Sequence, residues 1–402
     1  MNPLKKAYCR VFQTCFKIAM PLLPYREPKQ LDGIVSIHEV LENNHVSSVL
    51  LVTDRSVRGL GLTEPLEQQF RERGTRCTVY DAVVPNPTIG NVEEARSAYL
   101  QNGCQAIIAF GGGSPMDCAK GCAARIARPD KTIPQLKGIL KIRKKTPLLI
   151  AIPTTAGTGS EATLAAVITD PAKKHKYPVN DFPLIPDYAI LGPKVTVGLP
   201  PFVTATTGMD ALTHAVEAYI GNSTTALTRA MSEEAAKLIY ENIYTAYTQP
   251  ENLEARKNML RAAYCAGVSF TRSYVGYVHG VAHSLGGQYG VAHGLANAVI
   301  LPYFLKEYGP TIYARLGKLA RIAGAAPQGA DDASAARQFI AWIDEINAKM
   351  GIPTTIPEIR EQDIPVMAKH ADAESNPLYP VPVLMDAKEL EKMYYRLMPK
   401  GE

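Results

Sequence analysis

Four residues carry the chemistry this sequence offers: Asp210 and His214 in DALTH (210–214), and His279 and His293 in HGVAHSLGGQYGVAH (279–293). Counting His283, four of the chain's eight histidines fall within eighty residues. On a helix, the four-residue spacing of Asp210 and His214 puts both on one face, with Cβ atoms roughly 5–6 Å apart. His279 and His283 repeat that spacing, and His293 follows a glycine-rich break that should open a new helix. Three imidazoles and a carboxylate suit a divalent transition ion such as Zn²⁺ or Fe²⁺. An ion of that kind polarises an alcohol oxygen, which is half of an alcohol dehydrogenation. Any one of these histidines alone would be an ordinary core or surface residue, and Asp210 with His214 alone an ordinary polar pair. The set of four in one segment argues otherwise. His38, His45, His175 and His370 lie outside the cluster and read as structural or surface residues. Glu217 shares the Asp210 face seven residues on and could orient a ligand.

The other half of such a reaction needs a hydride acceptor, and the first half of the chain offers two loops for one. IIAFGGGSPMDCAK (107–120) reads as a strand, a glycine turn and a helix start. Gly112 and Gly113 let backbone amides approach phosphate oxygens, and Ser114 can donate from the helix N-terminus. PTTAGTGSEAT (153–163) follows another strand and offers the hydroxyls of Thr154, Thr155, Thr158 and Ser160. A plain tight turn would use similar residues; two such loops at strand ends fit a dinucleotide better. Asp54 ends the strand LLVT, where a carboxylate can bind both ribose hydroxyls of an adenosine and repel a 2′-phosphate. It precedes the glycine loop by 57 residues, so the fingerprint is not the standard G-x-G-x-x-G one.

The elements that must position these residues change character along the chain. SVLLVT (48–53), CTVY (77–80), QAIIAF (105–110) and PLLIAIP (147–153) read as strands, with helices over 63–73 and 91–103 between them. Apolar strands alternating with helices predict a parallel sheet covered on both faces. From about Thr204 nearly every segment has helical period: 204–220, 224–247, 252–272, 294–307, 310–323 and 332–349. We expect a helical N-terminal extension over 1–30; an α/β dinucleotide-binding domain over 31–200; and a helical metal-binding domain over 201–402. Val11, Cys15, Ile18 and Leu22 space an amphipathic helix in the extension, packed on the body or on a partner subunit. Arg10, Gln13 and Lys17 interrupt its apolar run, so it does not read as a signal peptide.

Composition excludes several classes. The 402 residues are 46% apolar and 20% charged with a net charge of +5, which makes no case for nucleic acid. KIRKK (141–145) reads as a solvated turn. No window approaches the roughly 18 apolar residues of a membrane span. Seven cysteines without paired spacing indicate reduced thiols and a cytoplasmic setting; Cys118 and Cys122 read as small buried residues.

The four motifs GGGSPMDCAK, PTTAGTGSEAT, TTGMDALTHAVEAY (206–219) and VHGVAHSLGGQYGVAHGLANA (278–298) resemble those of the iron-containing, group III alcohol dehydrogenases, over about residues 30–395. The resemblance implies an α/β nucleotide domain, a helical metal domain and an active site in the cleft between them. It implies Asp210, His214, His279 and His293 as metal ligands for Fe²⁺ or Zn²⁺, and His283 as a catalytic histidine near the substrate that is not a ligand. It implies Asp54 as the acid that favours NAD over NADP. By the same resemblance Asn86, Gly112, Gly113, Ser114, Asp117, Thr154, Thr155, Thr158 and Lys176 contact the nucleotide. Ala165, Ala166 and Phe270 match substrate-facing positions and favour a small alcohol or aldehyde over a polyol. A homodimer or a higher homo-oligomer is expected. Three rivals remain: a dehydroquinate-synthase-like lyase, which would need basic residues around a phosphate; a metal-free reductase; and a non-enzymatic metal or nucleotide sensor.

Overall fold

The computed structural model describes residues 1–19, 25–173 and 175–399. It divides into two compact units, Pro24–Leu199 on the one hand and Met1–Leu23 with Pro200–Glu402 on the other. The chain begins with helix α1 (Pro3–Ala19), which is part of the latter unit.

The α/β unit contains β1 (Lys29–Leu31), β2 (Ser48–Val52), β3 (Arg76–Tyr80), β4 (Ala106–Gly111), β5 (Gly138–Ile139), β6 (Leu148–Pro153), β7 (Ala165–Asp170), β8 (His175–Asn180) and β9 (Tyr188–Ile190). Its helices are α2 (Ile37–Asn43), α3 (Arg55–Gly59), α4 (Glu64–Glu72), α5 (Ile89–Gln101), α6 (Gly113–Ala127) and α7 (Ile133–Leu136). Six strands form one sheet in the order β1-β9-β6-β4-β2-β3, and every pairing in it is parallel. Successive side chains of a strand point to opposite faces. Here Leu50, Val52, Ile107, Ala109, Leu149 and Ala151 enter one core, while Val49, Leu51, Ile108, Phe110, Ile150 and Ile152 enter another. The sheet is thus covered on both faces, which is why its strands read as unbroken apolar runs.

A second sheet, β5-β8-β7, was not anticipated from the sequence; β7 and β8 pair antiparallel. In β7 burial alternates residue by residue, so the apolar signal is diluted to every second position. Ala166, expected against substrate, is fully buried in the core beneath this sheet. Cys118 and Cys122 are fully buried there too.

The helical unit holds α8 (Pro201–Ile220), α9 (Ala226–Thr248), α10 (Leu253–Ser273), α11 (Tyr277–Tyr289), α12 (His293–Tyr308), α13 (Tyr313–Ala323), α14 (Asp332–Lys349), α15 (Ile364–Ser375) and α16 (Ala387–Leu397). Helix α8 is buried nearly all round and packs against α9, α10 and α12. Gly208 is what lets it approach so closely: a Cβ there would lie 2.9 Å from Ile243 and Met259. No helix among the described residues is long and apolar enough to cross a membrane.

Helix α1 forms, but it packs the other way round from the expected amphipathic stripe. Its buried residues are Cys9 and Gln13, while Val11 and Ile18 are 62% and 69% exposed. Leu22 and Pro24 lie outside the described residues. Polar bonds decide the orientation: Arg10 and Gln13 donate to main-chain carbonyls of the segment 377–382.

Candidate functional site

The two loops of the α/β unit leave neighbouring strands at the same level, because Gly111 of β4 lies opposite Pro153 of β6. Gly111 has φ +154°, and a Cβ on it would lie 2.5 Å from the Pro115 ring, so the turn into α6 requires glycine. Gly112 and Gly113 pack directly on Thr155 and Thr158; added Cβ atoms would fall 3.2 and 2.8 Å from those side chains. The Thr154 amide donates to the Gly111 carbonyl at 3.0 Å. Next to them, the Asn86 amide donates to Ser114 Oγ at 3.2 Å and Lys176 Nζ donates to Asn86 Oδ1 at 2.8 Å. Asp54 stands after β2 at the same, carboxyl-terminal end of the sheet, where it caps α3 by accepting the Val57 amide at 2.9 Å.

Asp117 faces the second loop. It accepts Ser160 Oγ and the Val167 amide, both at 3.1 Å. Lys120 completes that brace, a role the sequence reading missed. Its buried Nζ lies 2.6–3.0 Å from five oxygens that share its three hydrogens: Ser160 O and Oγ, Thr163 O and Oγ1, and Ala165 O. Asp117 and Lys120 are three apart on α6, and this spacing was the available signal.

In the helical unit, Asp210, His214, His279 and His293 offer ligand atoms that all lie within 4.8 Å of one another. Helix α8 supplies the first two, α11 the third, and α12 begins at His293. Asp210 Oδ1 is 4.0 Å from His214 Nδ1, 3.7 Å from His279 Nε2 and 3.6 Å from His293 Nε2. Gly294 lets α12 start against α8, since a Cβ there would meet the Thr206 carbonyl at 2.7 Å. Asn297, another residue the sequence reading missed, donates to Asp210 Oδ1 at 2.6 Å and lies 3.1 Å from His293 Nε2. Phe270 stacks on His214 at 4.2 Å between centroids.

Glu217, whose position on α8 reads more readily as that of an ordinary exposed glutamate, is buried and bonded to His279. Its carboxylate accepts His279 Nδ1 at 2.6 Å, the Gly276 amide at 2.8 Å and the Val278 amide at 2.9 Å. Burial pushes this carboxyl up to about 7 against the pull of those donors.

His283 stands beside the group of four. Its ring stacks on His293 at 5.1 Å and is edge-on to His279 at 6.2 Å. Its Nδ1 is bonded to Glu374 Oε1 at 2.6 Å, and Tyr379 donates to the same oxygen at 2.7 Å. Burial alone would raise the Glu374 carboxyl, but His283 and Tyr379 outweigh it and hold it below its ordinary range. Glu374 carries no local sequence signal, because it lies 91 residues from His283, and Tyr379 reaches that histidine only through Glu374.

The four clustered residues fit a divalent cation. Bonds of about 2.0–2.2 Å to one ion bring ligand atoms to within roughly 4 Å of each other, and the separations from Asp210 Oδ1 are of that size. Burial, then His279 and His283, hold the His214 imidazole well below its usual range, toward the neutral form that a ligand needs. His214 Nδ1 is buried with no hydrogen-bond partner among the described residues. The donor set is that of zinc or iron sites, not of oxygen-only calcium or magnesium sites.

Comparison with known proteins agrees with both halves. The sequence profile described as iron-containing alcohol dehydrogenase matches residues 31–193, and that of the C-terminal part of the Fe-containing alcohol dehydrogenase family matches residues 204–398. The NAD-dependent methanol dehydrogenase of Bacillus methanolicus is 36% identical over 349 residues, 86% of this chain and 91% of its own. The 1,3-propanediol dehydrogenase of Klebsiella pneumoniae is 37% identical over 336 residues, 82% of this chain and 87% of its own. The crystal structure of a 1,3-propanediol oxidoreductase superposes with a TM-score of 0.88 at 32% identity, covering 93% of this chain and 99% of that one. An alcohol dehydrogenase from Oenococcus oeni gives the same score and identity, covering 93% and 100%. A parallel α/β unit followed by a helical unit with a metal-type cluster is the build of a metal-dependent dehydrogenase. This chain belongs to the iron-containing alcohol dehydrogenase family, and it is an oxidoreductase acting on CH–OH. The lyase reading falls away with that membership.

Proposed function

We propose that this enzyme interconverts a small alcohol and its aldehyde or ketone with NAD(H), holding one divalent cation, Fe²⁺ or Zn²⁺, on Asp210, His214, His279 and His293. The observation that carries the reading is the convergence of those four ligand atoms within 4.8 Å. When bound, the cation supplies Lewis acidity to the substrate oxygen, lowering the cost of removing its proton at neutral pH. The residues of the chain do the rest. Asp210 and three neutral imidazoles bind the cation, Glu217 and Asn297 fix the orientation of that set, and His283 takes the hydroxyl proton and passes it to solvent. Bound at the glycine and hydroxyl loops, NAD⁺ would supply the hydride acceptor, so that one alcohol and one NAD⁺ would give one carbonyl compound, one NADH and one proton.

On the α/β unit, Gly112, Gly113 and Ser114, with Thr154, Thr155 and Thr158, are assigned to the pyrophosphate, supported by backbone open to close approach beside hydroxyls. Asn86 and Lys176 extend that surface, Asp117 braces the loop, and Asp54 is assigned to the adenosine ribose. Relatives named for methanol, 1,3-propanediol and lactaldehyde point to short substrates. A cytoplasmic homo-oligomer completes the proposal. The test is a panel of short alcohols and aldehydes on protein reconstituted with Fe²⁺ or Zn²⁺, followed by NADH absorbance and by metal content. Turnover that is indifferent to removal and return of the metal would overturn the metal-dependent reading.

A further inference from the structure

We infer that Glu374 and Tyr379 form a positioning pair that fixes which nitrogen of His283 carries its proton, and that helix α1 is the brace that keeps this pair aligned. The inference rests on the proposed role of His283 as the residue that receives the substrate proton. An ionised carboxylate only accepts hydrogen bonds, so the bond between Glu374 Oε1 and His283 Nδ1 makes Nδ1 the donor. In the neutral ring Nε2 then carries the lone pair, which a proton acceptor needs. The other tautomer would set two lone pairs face to face at 2.6 Å. Tyr379 donates to the same Oε1 at 2.7 Å and so gives Glu374 a second anchor. Close approach of two helices makes the pairing possible: Gly280 of α11 lies against Ser375 of α15, and a Cβ there would fall 2.4 Å from Ser375 Oγ.

The segment carrying Tyr379 runs between α15 and α16 without helix or strand over most of its length, so its carbonyls need donors from elsewhere. Helix α1 supplies them. Gln13 Nε2 donates to Tyr379 O at 2.7 Å and to Pro377 O at 3.1 Å. Arg10 donates to Val381 O at 2.7 Å and to Pro382 O at 2.8 Å, and it holds the Gln13 amide in place at 2.9 Å. Lys5 reaches Asp372, two residues before Glu374, at 2.8 Å. Phe16 meets Tyr274 edge-on at 5.2 Å, and Tyr274 in turn lies 6.3 Å from Tyr379. The brace therefore grips both sides of Glu374. It does so from residues that lie outside the stretches matched by the two family profiles.

The experiment uses the full-length, metal-reconstituted enzyme with Glu374→Gln, Tyr379→Phe, the double substitution Arg10→Ala/Gln13→Ala, and that pair combined with Glu374→Gln. A Gln side chain can donate or accept and so no longer selects the tautomer. Glu374→Gln should lower kcat about tenfold or more, with metal content and the KM for alcohol unchanged. Tyr379→Phe and the α1 pair should each lower kcat about threefold, again without loss of metal. In the Glu374→Gln background the α1 pair should have no further effect on kcat, because both act through one histidine. Multiplicative losses in the combined variant, or an α1 pair that changes only the melting midpoint, would overturn the brace. Wild-type kcat in Glu374→Gln would overturn the positioning pair. His283→Ala separates this inference from the reading beneath it: normal kcat there defeats the role of His283 itself, whereas slow His283→Ala with normal Glu374→Gln defeats only the inference.

Discussion

Glu217 accepts the Nδ1 hydrogen of His279 at 2.6 Å while also holding two amides at the start of α11. One carboxylate thus sets both the helix that presents His279 and the rotation of its ring, leaving Nε2 to face Asp210. Outer partners of this kind typically carry about 10- to 100-fold of metal affinity. Glu217→Gln should weaken metal binding by about that factor, read by chelator competition, with helix content retained. Unchanged affinity would show that Glu217 serves only the backbone.

His279 and His283 lie one helical turn apart and should respond differently. His279→Ala should strip most of the metal and nearly all turnover, with circular dichroism unchanged. His283→Ala should keep the metal and lose roughly 10²-fold in kcat. Metal analysis beside kinetics decides, and full occupancy in His279→Ala would remove that residue from the ligand set.

Asp54 should set the cofactor. An ionised carboxylate repels a 2′-phosphate, and about 1.4 kcal/mol of discrimination is tenfold. We expect at least about a tenfold preference for NAD(H) in kcat/KM, reduced in Asp54→Gly mainly through better use of NADP(H). The cap that Asp54 makes on α3 is an independent role, and replacing it by glycine costs only about a few tenths of a kcal/mol, so the variant should melt only slightly lower. Equal use of both cofactors by the wild type would reject the assignment.

Glu161 should make stability depend on pH. Burial raises its carboxyl from the usual 4.5 to about 7, and Oε1 is buried without a hydrogen-bond partner among the described residues. In that window the unfolded chain gives up the proton and the folded chain retains it, so stability falls as pH rises from 4.5 to about 7. The loss is on the order of 3 kcal/mol at full extent. Glu161→Gln should match the wild type in urea unfolding near about pH 4.5 and exceed it near about pH 8. Parallel curves at both pH values would mean that the carboxyl titrates normally.

Much of the site was legible because its members sit in short runs with a helical or turn period. Asp210 and His214 share a face of α8, and His293 opens α12 after the glycine break, as their spacing indicated. The loops were legible because glycine and hydroxyl residues directly follow apolar strands. Lys120 was not legible, since a lysine on a helix ordinarily faces water and this one is buried among five acceptors.

By itself the sequence determined the fold class, the order of elements and the donor types of the cluster, because period and turn chemistry act over a few residues and are written in adjacent letters. Only the tertiary structure decided what meets across long separations: Glu374 with His283, Asn297 with Asp210, and β7 with β8 in a sheet whose apolar signal is diluted by alternation. It also decided which face of α1 is buried. The apolar stripe argued for one face, but unmet carbonyls in residues 377–382 needed donors, and Arg10 with Gln13 turned the helix to supply them. A hydrogen-bond debt in one segment can be met by any donor that folding brings near, so its partner is fixed by three-dimensional proximity and leaves no mark in the local pattern.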